Sequence, residues 1–345
     1  MSLLTEIQEQ PERLENLLES QRDAVEVIAQ AIKARHVRYA FLAARGTSDN
    51  AGRYANYLWG AMNGLPIALA TPSLFTYYHQ PPQLQDALVV GISQSGQSPD
   101  IVAVLEEGKR QGCPTLAITN APDSPLSHSA DFRLDIHAGS ELAVAATKTY
   151  TAELLAIAML ASALNGSDNH WKDLQKVPGW VRIVLEQNGA IKNNVQRYRY
   201  MQRCVVLGRG YNYASAFEWA LKLKELTYII AEPYSSADFL HGPIAMIEHG
   251  FPVLAIIPKG EVFGSMMSLL THLKDDQQAE LVVISNQDEA LSMAQTCMPI
   301  PEDIPEWLTP IVDIIAAQLF SYHLTLAKGF NPDVPRSIHK VTETK

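Results

Sequence analysis

Residues 88–101, LVVGISQSGQSPDI, restrict what this chain can fold into more than any other stretch. Val89, Val90 and Ile92 leave no wet face, so the run fits a strand covered on both sides within a sheet. Pro99 suits a first helical position, where its missing N–H and fixed φ cost nothing, and Ser98 before it suits an N-cap. The loop between strand and helix presents the hydroxyls of Ser93, Ser95 and Ser98, the amide of Gln94, and free backbone N–H groups beside the positive end of a helix dipole. Such a loop can hold an anion, most economically a phosphate. Taken alone, the same residues also make an ordinary polar turn with a good cap.

Composition narrows the class. A chain of 345 residues, 47% hydrophobic and 19% charged, has room for about two domains with full cores. No apolar run looks long enough to span a bilayer, and residues 1–30 are charged without the apolar centre of a signal peptide, which predicts a soluble, cytoplasmic protein. Cys113, Cys204 and Cys297 are far apart, have no metal-type spacing and are odd in number, so they read as reduced core residues. A formal net charge of −10 disfavours nucleic acid or an anionic membrane as partner. An anionic small ligand must then be held by local donors.

In chain order, residues 1–30 predict a helical arm, with Leu14, Leu17, Leu18, Val25 and Ile28 near helical spacing. Strands are expected at 39–44, 67–70, 89–92, 115–119 and 132–136, several separated by helices, which makes residues 31–165 a doubly wound parallel α/β domain. Thr47 and Ser48 fall in a strand-to-helix loop like that of Ser93, and both loops would lie at the carboxyl ends of the strands, where such sheets bind ligands. A third loop, GSELAVAATK at 139–148, can bring backbone N–H groups to the same crevice or simply start the next helix. Residues 166–200 read as a helical linker.

Residues 201–330 repeat the design in worn form. CVVLGRG at 204–210 and the helix after it mirror the first strand and helix, down to the Arg-Gly pairs 45–46 and 209–210. Tyr211-Asn212 replaces Thr47-Ser48, and IPKGEV replaces SQSGQS, so the copy keeps the fold and loses the hydroxyls; one phosphate site per chain is expected. The second half supplies titratable groups instead. Glu218, Lys222 and Glu225 share one helix face, either as a surface ion pair or as working chemistry. AEPYSSADFLHGP reads as a loop placing His241 before a Gly-Pro turn, where an imidazole is either solvated or a proton shuttle. Residues 331–345 form a tail carrying Lys340, of the kind that usually frays.

EIQEQP, RGTSDNAG, SQSGQSPD, GSELAVAATK, LGRG, ALKLKE, SSADFLHGP and PRSIHK, in this order, resemble the sugar isomerase (SIS) family in its tandem form, and within it the isomerase half of glutamine–fructose-6-phosphate aminotransferases. The resemblance implies two tandem flavodoxin-like domains with helices on both faces, and a homodimer with shared sites. It implies that Thr47, Ser48, Ser93, Gln94, Ser95 and Ser98 hold a sugar phosphate, with Val144 contributing backbone. Glu225 matches the base that moves a proton between C1 and C2, Lys222 its charged partner, His241 the ring-opening histidine supplied by the neighbouring subunit, and Lys340 the tail lysine that meets the sugar carbonyl. No metal or organic cofactor is implied. Ala146 stands where the family has a serine.

The aminotransferase's glutaminase nucleophile is an N-terminal cysteine, whereas this chain opens Met1-Ser2 and first shows a cysteine at Cys113. AVAATK, SSADFLHGP and the NPDVP…KVTET tail are most similar to stand-alone glucosamine-6-phosphate deaminases of this fold. The expected activity is therefore an aldose–ketose shift on an amino sugar phosphate, glucosamine 6-phosphate giving fructose 6-phosphate and ammonia. The alternatives are a glutaminase-less synthase, a fructosamine-6-phosphate deglycase, a galactosamine-6-phosphate deaminase, or a phosphosugar sensor without catalysis.

Overall fold

The structure, a computed structural model, describes residues 2–340; residues 341–345 of the tail lie outside the described residues. It divides into two compact units. The first sheet unit comprises residues 12–141, 148–176 and 339–340, and the second comprises 2–11, 142–147 and 177–338.

In the first unit the strands are β1 (Tyr39–Ala43), β2 (Ile67–Leu69), β3 (Ala87–Ile92), β4 (Thr115–Thr119) and β5 (Phe132–Asp135), all parallel, in the order β2-β1-β3-β4-β5. Every residue of β3 and β4 is buried, as expected for strands covered on both faces. On one face Phe41, Ala43, Val89 and Ala117 pack against Ile101, Val104 and Leu105 of the Pro99–Arg110 helix. The opposite face takes the Gly46–Asn63 helix. A Cβ at Gly52 would come 2.7 Å from Leu42 Cδ2, so glycine lets this helix close onto β1. Trp59 Nε1 donates to the Ile157 carbonyl at 3.2 Å and ties that helix to Lys148–Asn165, which is buried all round over its first four turns.

The second unit has β6 (Arg203–Gly208), β7 (Ile230–Ser235), β8 (Pro252–Ile256), β9 (Glu280–Ser285) and β10 (Thr296–Pro299), paired in the order β7-β6-β8-β9-β10. Counted from each unit's first strand, this is the order of the first sheet, so the repeat read from the sequence is a repeat of topology. In both sheets the connection reverses direction beside the first strand, between β1 and β3 and between β6 and β8; ligands of such sheets bind at that switch point.

Three sequence expectations need correction. AEPYSSADFLHGP is not a loop: it contains all of β7 but its first residue and a short Ser236–Leu240 helix with His241 at its C-cap. Pro233 and Glu232 hid the strand, and both are tolerated because β7 is an edge strand needing only one ladder. Glu306–Ala327 is long and apolar enough to cross a membrane, contrary to the reading that no such run exists; 83% of its most apolar window is buried inside the protein, as in a core helix. Its Phe320 takes the Trp219 ring edge-on at 5.5 Å. Finally, Cys113 and Cys204 are buried but Cys297, on edge strand β10, is exposed.

Candidate active site

The loop after β3 is built around Gly96, whose φ of +61° suits glycine and whose Cβ, if present, would lie 2.0 Å from Ser124 Oγ. Ser93 Oγ accepts the Gly96 N–H at 3.1 Å, and Ser95 Oγ accepts that of Gln97 at 3.3 Å. Ser98 occupies the N-cap position of the Pro99–Arg110 helix, but its hydroxyl makes no cap hydrogen bond. The N–H groups of Gln94, Ser95 and Ser98 likewise donate to nothing among the described residues. A helix start with this many unspent donors has the chemistry to accept an anion.

Thr47 and Ser48 sit in the first turn of the Gly46–Asn63 helix rather than in a loop, which still places them at the carboxyl end of β1, next to β3 across the switch point. Ser48 Oγ donates to the buried Glu153 carboxylate at 2.8 Å, so its lone pairs rather than its proton remain available. Arg45 joins the two loops: its guanidinium lies 2.8 Å from Asp100 Oδ2, and Asp100 is fully buried in the first turn after the serine loop. Half of the Arg45 side chain is exposed, so part of its charge faces solvent beside the cradle.

The start of the third loop belongs to the same unit. Asn120, at the end of β4, accepts the Ala138 N–H at 2.9 Å and donates to the Gly139 carbonyl at 2.7 Å. Glu141 is buried; its carboxylate accepts the Thr149 N–H and hydroxyl, at 3.2 and 2.8 Å, and the Lys340 ammonium at 2.6 Å. The tail at Lys340 is therefore docked rather than frayed, through a carboxylate with 0% side-chain exposure. Arg45, Asp100, Asn120, Glu141 and Glu153 escaped the sequence reading because each acts through a partner distant in the chain.

In the second unit the Tyr213–Thr227 helix carries the titratable face. Lys222 Nζ lies 3.3 Å from Glu218 Oε1 and 2.6 Å from Glu225 Oε2. Side-chain exposures of 1% for Lys222 and 0% for Glu218, against 24% for Glu225, rule out an ordinary surface pair. Burial alone would push the Lys222 ammonium toward neutrality, but the two carboxylates outweigh it and raise its pKa above the usual lysine value. Lys222 thus stays cationic and holds Glu225 at the one partly open end of the triad. His241 is exposed, and its imidazole makes no hydrogen bond among the described residues. Val144 lies in the 142–147 segment, also part of this unit.

At the second switch point the chain supplies its own anion. Glu306 Oε2 accepts the Glu261 N–H at 3.1 Å, and its carboxylate lies so close over Gly260 that a Cβ there would fall 2.1 Å from Glu306 Cδ. Replacing both Ser93 and Ser95 with Ala is expected to weaken inorganic phosphate binding by about tenfold or more in calorimetry. The unchanged protein should bind one phosphate per chain, and two would contradict this reading.

The family model described as SIS domain matches the chain twice, at residues 33–163 and 199–328. The chain is 33% identical over 347 aligned residues to the glutamine–fructose-6-phosphate aminotransferase [isomerizing] of Thermococcus kodakarensis, covering 98% of this chain and 57% of that protein. It thus spans little more than half of the length of that relative. Among solved structures, the C-terminal domain of glucosamine-fructose-6-phosphate aminotransferase from Francisella tularensis matches with TM-score 0.86 and 27% identity over 95% of this chain and 96% of that one. A Silicibacter pomeroyi protein described as a phosphosugar isomerase matches with TM-score 0.86 and 29% identity over 96% of this chain and 99% of that one. Each matched segment holds one of the two parallel sheets, and the chain belongs to the SIS domain family, with two such domains in tandem.

Proposed function

We propose that this protein is a phosphosugar isomerase acting on an amino sugar phosphate, converting glucosamine 6-phosphate to fructose 6-phosphate and ammonia. The observation that carries the reading is the buried Lys222 holding Glu225 at the open end of an otherwise inaccessible triad, in a chain that also has a cradle of unspent donors after β3. Family membership and the likeness to an aminotransferase's C-terminal domain support the sugar-phosphate class. The AVAATK, SSADFLHGP and NPDVP segments support the deaminase direction.

In this mechanism the serine loop and Thr47 bind the phosphate, and His241 assists ring opening. Glu225 takes the C2 proton of the open-chain aldehyde, leaving an enaminol between C1 and C2, and returns the proton to C1. The C2 iminium that results adds water and expels ammonia, so C2 becomes the ketone of fructose 6-phosphate. The Lys340 ammonium, held by Glu141, offsets the charge that develops on the C1 oxygen.

The test is ammonia release from glucosamine 6-phosphate, galactosamine 6-phosphate and fructosamine 6-phosphate by the purified protein. Glucosamine 6-phosphate should turn over with fructose 6-phosphate as product. Turnover of only another of the three would overturn the substrate assignment, and no turnover together with tight phosphosugar binding would overturn the enzyme reading in favour of a sensor.

A further inference from the structure

The EIQEQP motif has no part in the chemistry above, yet its Glu6 and Gln10 are both 0% exposed. A buried carboxylate must recover the hydration it loses from fixed donors. Glu6, on the Leu3–Gln8 helix, accepts the Leu142 N–H at 2.6 Å and the Ala143 N–H at 3.3 Å. Gln10 donates to the carbonyl of Ile7 at 2.9 Å and to Gln318 Oε1 at 2.8 Å. Gln318, itself 2% exposed, donates in turn to the Thr147 carbonyl at 3.3 Å. The 142–147 segment is thereby gripped at both ends by buried polar side chains of its own unit.

What the grip leaves unspent lies between its ends. The N–H groups of Val144, Ala145 and Ala146 make no hydrogen bond among the described residues. Val144 and Ala146 are partly exposed, while Ala143, Ala145 and Thr147 are buried, so the segment alternates between an anchored side and an open side. A backbone without secondary structure keeps one conformation only if something fixes it, and charge-assisted bonds to a carboxylate are the stronger means. We infer that Glu6 and Gln10 are positioning residues that hold 142–147 in the conformation presenting the Val144–Ala146 backbone donors to the sugar hydroxyls of the substrate. This rests on the phosphosugar reading above and extends it to the N-terminal motif.

The experiment compares fructose 6-phosphate and inorganic phosphate as ligands in titration calorimetry, using the full chain and its Glu6→Gln variant. The glutamine keeps the volume but turns an amide donor towards a backbone donor. Fructose 6-phosphate should bind about tenfold more weakly, with phosphate affinity unchanged, because the serine loop is untouched. Gln318→Met releases the Thr147 end without opening a cavity and should show the same split, which keeps the test usable if Glu6→Gln does not fold. Unchanged affinity for both ligands, or equal losses on both, would overturn the positioning role. If the unchanged protein binds phosphate but not fructose 6-phosphate, the phosphosugar reading fails and the inference falls with it, an outcome visible before any variant is made.

Discussion

Glu225→Gln is expected to lower turnover of the amino sugar phosphate by about a thousandfold, within the range that a positioned general base contributes, while leaving KM within a few-fold. The substitution is close to isosteric. Glutamine's carbonyl oxygen can still accept from the Lys222 ammonium, which in the unchanged protein lies 2.6 Å from Glu225 Oε2, so the helix and its neighbours keep their places. What disappears is the ability to take a proton from carbon. A loss confined to kcat identifies a group acting on the transition state, whereas a rise in KM alone would assign Glu225 to binding. Near-normal turnover would remove Glu225 from the mechanism.

The second large effect concerns stability. Lys222→Met should destabilise the second unit by about 3–5 kcal/mol, the cost of breaking a buried ion pair by removing one of its members. The charge left behind is Glu218, 0% exposed and 3.3 Å from the missing ammonium, whereas the partly open Glu225 can still reach water. The sign of the pH dependence follows from linkage. Without Lys222, burial raises the folded-state pKa of Glu218 above its unfolded value, so the native state binds more protons and variant stability falls as pH rises between the two. Acidification towards the ordinary carboxylate range should therefore narrow the gap between variant and unchanged protein. Adding Glu218→Gln to Lys222→Met should recover much of the loss at neutral pH, a coupling that a double-mutant cycle reads directly. Denaturant midpoints measured against pH test both points; a gap that widens on acidification would contradict the account.

Much of the fold was legible because parallel strands buried on both faces announce themselves as apolar runs, as β3 and β4 do. Edge strands lack that signal: β7 contains Pro233 and Glu232 and reads as a loop until the sheet is seen. The serine loop was legible for a similar reason, since strand, turn and helix start are contiguous in sequence. The groups that organise the site were not. Arg45 and Asp100 are 55 residues apart, Glu6 and Leu142 are 136 apart, and Glu141 and Lys340 are 199 apart, so only tertiary structure pairs them. The tail shows the cost of judging by position alone, because Arg336 stacks on Tyr228 at 3.8 Å and Lys340 is bound to Glu141. The shared face of Glu218, Lys222 and Glu225 could be read from helical spacing, but their burial, which separates chemistry from surface pairing, could not.

The most direct measurement is the fate of deuterium placed at C2 of glucosamine 6-phosphate, followed in the unchanged protein and in Glu225→Gln. The account predicts that the unchanged protein removes it from C2, delivering it to C1 of fructose 6-phosphate or to solvent as ammonia is released, and that the variant leaves it at C2. Deuterium retained at C2 by the unchanged protein, or lost from C2 as fast in the variant, would contradict proton transfer by Glu225.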